Sequence, residues 1–342
     1  VELLGLNEDF EIVSHHIEYI NLQWTRRYFE CGEFSVQIRM SDYDGSIKYI
    51  YSPDRPETGI IEKLHSDSDV SGEYVQLSGR FLEAFIGRDV VYPRFTASGT
   101  PAELVRSAIS TYGVDVPELL FLPSDADGES TSVDWFGNEL DKATNDLLRS
   151  AELSQRICYN PHTGDLEHEI WKGLDRTQSQ DVNNYAFFSD ANNSVDKISV
   201  DEDESGYRNF AIIAIEGGTL YYDARTDPNE PRRVKFFDQT SAQPDDGQTT
   251  SQFHQALIQQ AKEELQNWVK INSVEASTIQ SRLVYLRDYD LGDKCDIVTN
   301  DMRRSYESRI IEVYEVFKEG QHFVDVTFGD KIPTIYERLM NK

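Results

Sequence analysis

The 342 residues carry 33 Lys and Arg against 61 Asp and Glu, a formal net charge of −28 that excludes nucleic acid and anionic membranes as ready partners. Apolar residues make up 39% and aromatic residues 11%, too aromatic for a disordered acidic chain, and the length allows about two domains with sizeable cores.

Strand signals dominate residues 10–95. Phe34, Val36, Ile38 and Met40 alternate with Ser35, Gln37 and Arg39, the period of a strand with one buried face. Asp44-Gly45 predicts a tight hairpin to a strand at 47–51, and 58–64 with 74–78 predicts a second hairpin across a polar loop. The period changes at Thr100-Pro101-Ala102-Glu103, a capping box with proline at the first helical position, followed by Leu104, Val105, Ala108, Ile109 and Tyr112 at helical spacing up to Gly113. A second helical stripe runs Leu140, Ala143, Leu147, Ala151, and the turn Pro161 to Asp165 separates strands at 156–159 and 166–171.

Residues 182–205 are polar and end in Asp201-Glu202-Asp203-Glu204-Ser205, which reads as an exposed connection. Beyond it, Glu216-Gly217-Gly218 predicts a hairpin between 210–215 and 219–224, with a further strand at 233–237. A Gln-, Asp- and Thr-rich linker at 239–251 precedes a helix carrying Leu257, Ala261, Leu265 and Trp268 on one face. Strands are expected again at 282–287, 294–298, 307–316 and 321–328, then a short tail from Pro333. The block order predicts a β-rich α+β fold in which two antiparallel barrels or rolls carry insertions, since closure hides the edges of short strands. The divisions expected are a first barrel at 1–97, an α+β insertion at 98–205, a second barrel from 206–238 and 276–332, a helical insertion at 239–275, and a tail at 333–342.

Chemical motifs are sparse. Asp42-Tyr43-Asp44, Asp125-Ala126-Asp127 and the set Asp288, Asp290, Asp293, Asp296 lack the spacing of a calcium loop and read as turn residues. His162 and His168 flank a turn without an H-E-x-x-H pattern, and His15-His16 are neighbours that would point to opposite faces of a strand. Cys31, Cys158 and Cys295 include no C-x-x-C pair and read as free thiols of a protein made in the cytoplasm. No stretch approaches the ~18 apolar residues of a membrane span, and residues 1–10 lack the pattern of a signal peptide. Phosphate-binding and nucleophile-elbow motifs are missing too; neither a catalytic residue, a metal nor a cofactor is expected.

Two sets of passages go beyond composition. The first is Asn7-Glu8-Asp9-Phe10, Trp24-Thr25-Arg26-Arg27-Tyr28, Gly32-Glu33-Phe34, Thr58-Gly59-Ile60 and Ser78-Gly79-Arg80-Phe81-Leu82; the second is Asp290-Leu291-Gly292-Asp293, Arg309-Ile310-Ile311-Glu312-Val313 and Thr327-Phe328-Gly329-Asp330. In order and separation they resemble the siphophage-type tail hub family, the tail-tip or baseplate hub proteins that also form the N-terminal module of tail-associated lysins. The resemblance implies two tube-type β-barrels per chain and a homotrimer whose six barrels form a pseudo-sixfold ring. It implies a hexameric distal tail or tail tube on one side of that ring and a spike, fibre or tape-measure protein on the other, with DNA only in passage through the channel. Trp24, Gly32, Phe34, Gly59, Gly79, Arg80, Leu291, Gly292, Asp293, Phe328 and Gly329 are its structural motif residues. Acidic residues along a lumen would repel passing DNA. Two other readings are a cell-wall hydrolase of the tail and a carbohydrate-binding tail protein using aromatics such as Trp135, Tyr185 or Tyr221.

Overall fold

The structure is a computed structural model, and it describes residues 1–69, 72–124, 128–245, 247–280, 282–299 and 304–329. Its main element is a ten-stranded sheet built from both ends of the chain. Four strands come from the N-terminal part, in spatial order Tyr19–Arg27, Glu33–Arg39, Gly72–Arg80, Lys63–Asp69. Four more come from the C-terminal part, in the order Val195–Asp203, Ile271–Thr278, Gln321–Gly329, Arg304–Lys318. Every pairing within both quartets is antiparallel. Each quartet therefore follows one rule: first strand, second, fourth, third. Arg304–Lys318, the third strand of the C-terminal quartet, joins Tyr19–Arg27, the first of the N-terminal quartet, in an antiparallel ladder. Lys294–Thr299 and Phe187–Ser189 extend the sheet beside the start of Arg304–Lys318.

Insertions hang from this frame. A four-stranded sheet (Ile12–Ser14, Leu4–Leu6, Tyr49–Tyr51, Thr58–Ile60) covers the N-terminal quartet. The α+β insertion holds α1 (Pro101–Tyr112) and α2 (Leu140–Ser150) over the strands Ser154–Tyr159 and Leu166–Trp171. The predicted capping box forms as read: the Thr100 side chain accepts from Glu103 N, the Glu103 carboxylate from Thr100 N, and Gly113 ends the helix. A separate three-stranded sheet (Gly218–Asp223, Phe210–Ile215, Val234–Gln239) packs Ala211 and Ile213 on α3 (Thr250–Leu265) through Phe253, Leu257, Ala261 and Leu265.

Several expectations need correction. The strand after Asp44-Gly45 does not fold back on 33–39; Tyr49–Tyr51 leaves for the small sheet and pairs with Leu4–Leu6. Residues 58–64 split, with Thr58–Ile60 in the small sheet and Lys63–Asp69 in the large one. The supposed connection at 182–205 contains Val195–Asp203, an end strand of the large sheet on which Asp196 and Asp201 are exposed while Val195 is buried; the end of a sheet tolerates that composition. Residues 282–287 turn instead of extending, with Asp288 N on Val284 O at 2.8 Å. His15 and His16 lie exposed beyond the end of the Ile12–Ser14 strand. Among the described residues no sheet closes on itself, so the β-rich fold stands while closed barrels are not seen in the single chain. Asp125-Ala126-Asp127 and the tail from Pro333 lie outside the described residues.

Candidate functional site

The large sheet has one apolar and one polar face, as period-2 alternation demands. Inward point Leu22, Trp24, Phe34, Val36, Ile38, Val75 and Leu77 from one quartet and Val313, Val324, Val326 and Phe328 from the other. Outward, the ladders align polar side chains in rows that cross both quartets. One row runs Lys197, Ser277, Asp325, Tyr314, Thr25, Glu33, Arg80. Another runs Gln321, Lys318, Asn21, Gln37, Gln76, His65. Arg27 links Glu33 at 2.6 Å and Glu312 at 2.9 Å across this face. A groove of about 300 Å³ follows its C-terminal part, lined by Lys197, Ser199, Glu275, Ser277, Glu312, Tyr314, Asp325 and Thr327. The face mixes both charge signs with amides and hydroxyls, so it is less acidic than the whole chain.

Behind the joint of the quartets, on the apolar side, lies a buried ionic seam. Arg26 is fully buried; its Nε donates to Glu57 Oε1 at 2.7 Å, and its Nη1 to Asp290 Oδ1 and the Tyr285 hydroxyl. Burial disfavours the Arg26 charge, but Glu57, Tyr285 and Asp290 outweigh it and hold its pKa well above the ordinary value. Arg55 grips Glu315 from Nε at 2.8 Å and from Nη2 at 2.5 Å, and His322 Nε2 lies 2.9 Å from the same carboxylate. Burial pushes the Glu315 carboxyl up, yet the hydrogen bonds from His322 and Arg55 win and its pKa is lowered. Both clusters tie N-terminal residues to partners some 260 positions away.

The eleven motif residues fall into two groups and some remainders. Trp24, Phe34, Gly32, Gly59 and Gly79 gather around Phe81. Its ring centroid is 4.8 Å from that of Trp24, its N–H donates to Gly32 O, and its backbone bridges Gly59. A Cβ on Gly79 would lie 1.9 Å from Ile60 O, so only glycine lets these strands approach. Arg80 leaves this group for a two-pronged pair with Glu62 at 2.7 and 3.0 Å. Leu291, Gly292 and Asp293 form the second group, a turn beside Tyr28 and Trp171. Gly292 has φ +84, and a Cβ there would lie 2.5 Å from the Tyr28 ring. Asp293 accepts from Arg176 Nε at 2.5 Å, Leu174 N at 2.8 Å and Asp290 N at 2.9 Å. Phe328 packs its ring 5.0 Å from Phe188, and Gly329 pairs with Ser273 at the end of its strand.

The other candidates serve the structure. His168 is buried with Nε2 3.0 Å from Gln155 Oε1, and burial, with Arg106 adding to it, drives its pKa down to about 3. His162 sits exposed in a turn. Burial raises all three thiols, Cys158 to about 12, which makes them poor nucleophiles. Asp44, Asp288 and Asp296 accept backbone N–H groups from Ser46, Val284 and Gln178. Among the described residues no group of three or more His, Cys, Asp or Glu is placed to hold a metal ion. Trp135 is core, stacked on Phe95, whereas Tyr185 is exposed in the segment before Phe187–Ser189 and Tyr221 is exposed on the three-stranded sheet. Arg55, Glu57, Tyr285, Glu315 and His322 were missed in the sequence. Parity would have flagged Glu315, which shares the inward face of its strand with Val313 and Phe317.

Residues 2–330 match the model of the Siphovirus ReqiPepy6 Gp37-like protein family. No curated protein matches the sequence. The tail protein from Neisseria meningitidis MC58 superposes with a TM-score of 0.63 at 12% identity, over 96% of each chain. Prophage tail protein gp18 from Listeria monocytogenes EGD-e gives 0.58 at 11%, over 100% of this chain and 98% of that one. The E. coli c3393 protein, a type VI secretion component with structural similarity to T4 bacteriophage tail proteins gp27 and gp5, gives 0.50 at 11%, over 94% and 75%. At these identities the likeness is one of fold, and it runs the length of the chain. Its β-rich fold is that of the tail proteins on which it superposes, and the chain belongs to the Siphovirus ReqiPepy6 Gp37-like family.

Proposed function

We propose that this protein is the non-enzymatic hub of a phage tail tip or of a phage-derived injection machine. Three copies form a ring with pseudo-sixfold shape. One side of the ring seats the hexameric distal tail or tail tube; the other holds a spike, fibre or tape-measure element. The observation that carries this reading is the repeated strand order of the two quartets. Inside the chain, the third strand of one quartet meets the first strand of the other. Applied between copies, the same rule brings Lys63–Asp69 of one copy against Val195–Asp203 of the next. Those two strands end the eight-strand path of the large sheet. An open sheet is an aggregation hazard unless its ends are closed or covered, and in this proposal closure through three copies joins the two ends of that path. In this proposal each quartet stands for one tube-type unit, the second drawing on Val195–Asp203 where 206–238 was expected, and six quartets give the pseudo-sixfold form.

The polar face becomes the channel lining in this arrangement, because the opposite face is filled by core. Its alternating Ser, Thr, Gln, Lys and Glu side chains offer DNA no continuous basic track, so the polymer passes without sticking. The test is solution mass by light scattering at two protein concentrations. A mass about three times the 39.3 kDa of one chain supports the ring. A monomer at both concentrations refutes self-assembly through these end strands.

A further inference from the structure

The polar groups around Arg26 do not balance among themselves. Its Nε and Nη1 are used by Glu57, Asp290 and Tyr285, while Nη2, equally buried, meets no acceptor among the described residues. Among the described residues the second oxygen of Glu57 meets no donor and the buried indole N–H of Trp171 meets no acceptor. All three side chains line one small cavity of about 10 Å³, whose walls also include Phe81, Glu83 and Leu291 and whose rim includes the exposed Glu30. Buried polar atoms in folded proteins are nearly always partnered, so three around one cavity point to a shared partner that is not protein.

We infer that this cavity is a binding site for a single ordered water molecule held by Arg26, Glu57 and Trp171. The volume matches about one water-sized sphere. The hydrogen-bond capacity matches as well. Water accepts one bond from Arg26 Nη2 and one from Trp171 Nε1, donates one to Glu57 Oε2, and keeps one hydrogen for the remaining wall. An anion would suit the two donors but is repelled by Glu57, and a cation is repelled by Arg26. Organic ligands are too large. The three anchors come from the strand Tyr19–Arg27, the turn before Thr58 and the end of the strand Leu166–Trp171, with Leu291 closing the cavity from the C-terminal turn. The water thus joins the N-terminal, middle and C-terminal segments where the ionic seam ends, and this inference does not depend on the hub reading.

A high-resolution crystal structure of the full chain tests it directly. A discrete density peak within about 3.2 Å of Arg26 Nη2 and Glu57 Oε2 is the expected result. A cavity without a peak, or an Arg26 Nη2 that bonds a protein acceptor, overturns it. In solution, oxygen-17 relaxation dispersion counts long-lived internal waters, and Trp171→Phe keeps the ring while removing the donor. The variant is expected to shorten the residence time of one such water about fivefold to tenfold, the effect of one lost hydrogen bond. Identical dispersion in the two proteins overturns the assignment of Trp171.

Discussion

Replacing Arg55 by Met keeps an apolar stem of similar length and removes the guanidinium that holds Glu315. The carboxylate is fully buried and Arg55 is 8% exposed, so water cannot substitute for the two lost hydrogen bonds; His322 remains as its single close partner. Removing one member of a buried pair costs about 3–5 kcal/mol at pH 7, a large part of the roughly 5–15 kcal/mol that stabilises a domain. The sign of the pH dependence follows from the depressed Glu315 pKa. In the native chain its contribution is present above the unfolded value of 4.5 and fades as pH falls through the lower folded value. In Arg55→Met burial dominates, the carboxyl takes up a proton under mildly acidic conditions, and the deficit against the native chain narrows between pH 7 and pH 5. Urea unfolding followed by tryptophan fluorescence reads this out, since Trp24 pairs with Glu315 across the joint. The double change Arg55→Met with Glu315→Leu removes both charges and recovers most of the loss. A loss under about 1 kcal/mol for Arg55→Met, the size of a surface pair, or a double variant no better than the single one, refutes the seam as described.

Two further outcomes are expected. Glu263 on α3 and Asp146 on α2 line one small cavity between the helices. Burial raises Glu263 to about 8, against the opposing hydrogen bond from Gln259 and with Asp146 adding to it. A raised carboxyl makes the fold lose stability as pH climbs from 4.5 to about 8; Glu263→Gln should flatten the urea-midpoint profile there by about 1.4 kcal/mol per pH unit, and parallel profiles would contradict the assignment. Gly292→Ala combines a positive φ with a Cβ 2.5 Å from the Tyr28 ring; a loss of about 1–3 kcal/mol in the same assay is expected, and wild-type stability would show that the turn relaxes freely.

Local signals in the sequence carried far. The alternation from Phe34 to Arg39, the capping box at Thr100, the turn at Pro161 and the hairpin at Gly217 each formed where chemistry of neighbouring residues demands it. Non-local pairing was hidden. Period-2 alternation says which face of a strand is buried but not which strand lies beside it, so nothing at 49–51 announced a partner at 4–6. The acidic strand at 195–203 looked unlike a strand because it lies at the end of the sheet path, where polar side chains are tolerated. The seam was least legible: Arg55 and Glu57 lie in a short irregular segment, and their partners Glu315 and Arg26 lie on two strands that meet only in the folded chain.

The position of that seam explains why charge is placed in a core that hydrophobic residues could fill. The ladder between Tyr19–Arg27 and Arg304–Lys318 joins the two quartets, and backbone hydrogen bonds alone would accept it in several registers. A slip of one residue turns Trp24 and Val313 toward water. A slip of two keeps the apolar faces inward but separates Glu315 from Arg55 or Arg26 from Asp290, leaving a buried charge unpaired. The seam thus penalises the one error that hydrophobic patterning tolerates, and it fixes the register between the quartets. The double variant Arg55→Met with Glu315→Leu separates stability from register: it should unfold nearly as the native chain does yet give a broadened mass distribution in light scattering. A single sharp trimer mass from that variant would show that packing alone sets the register.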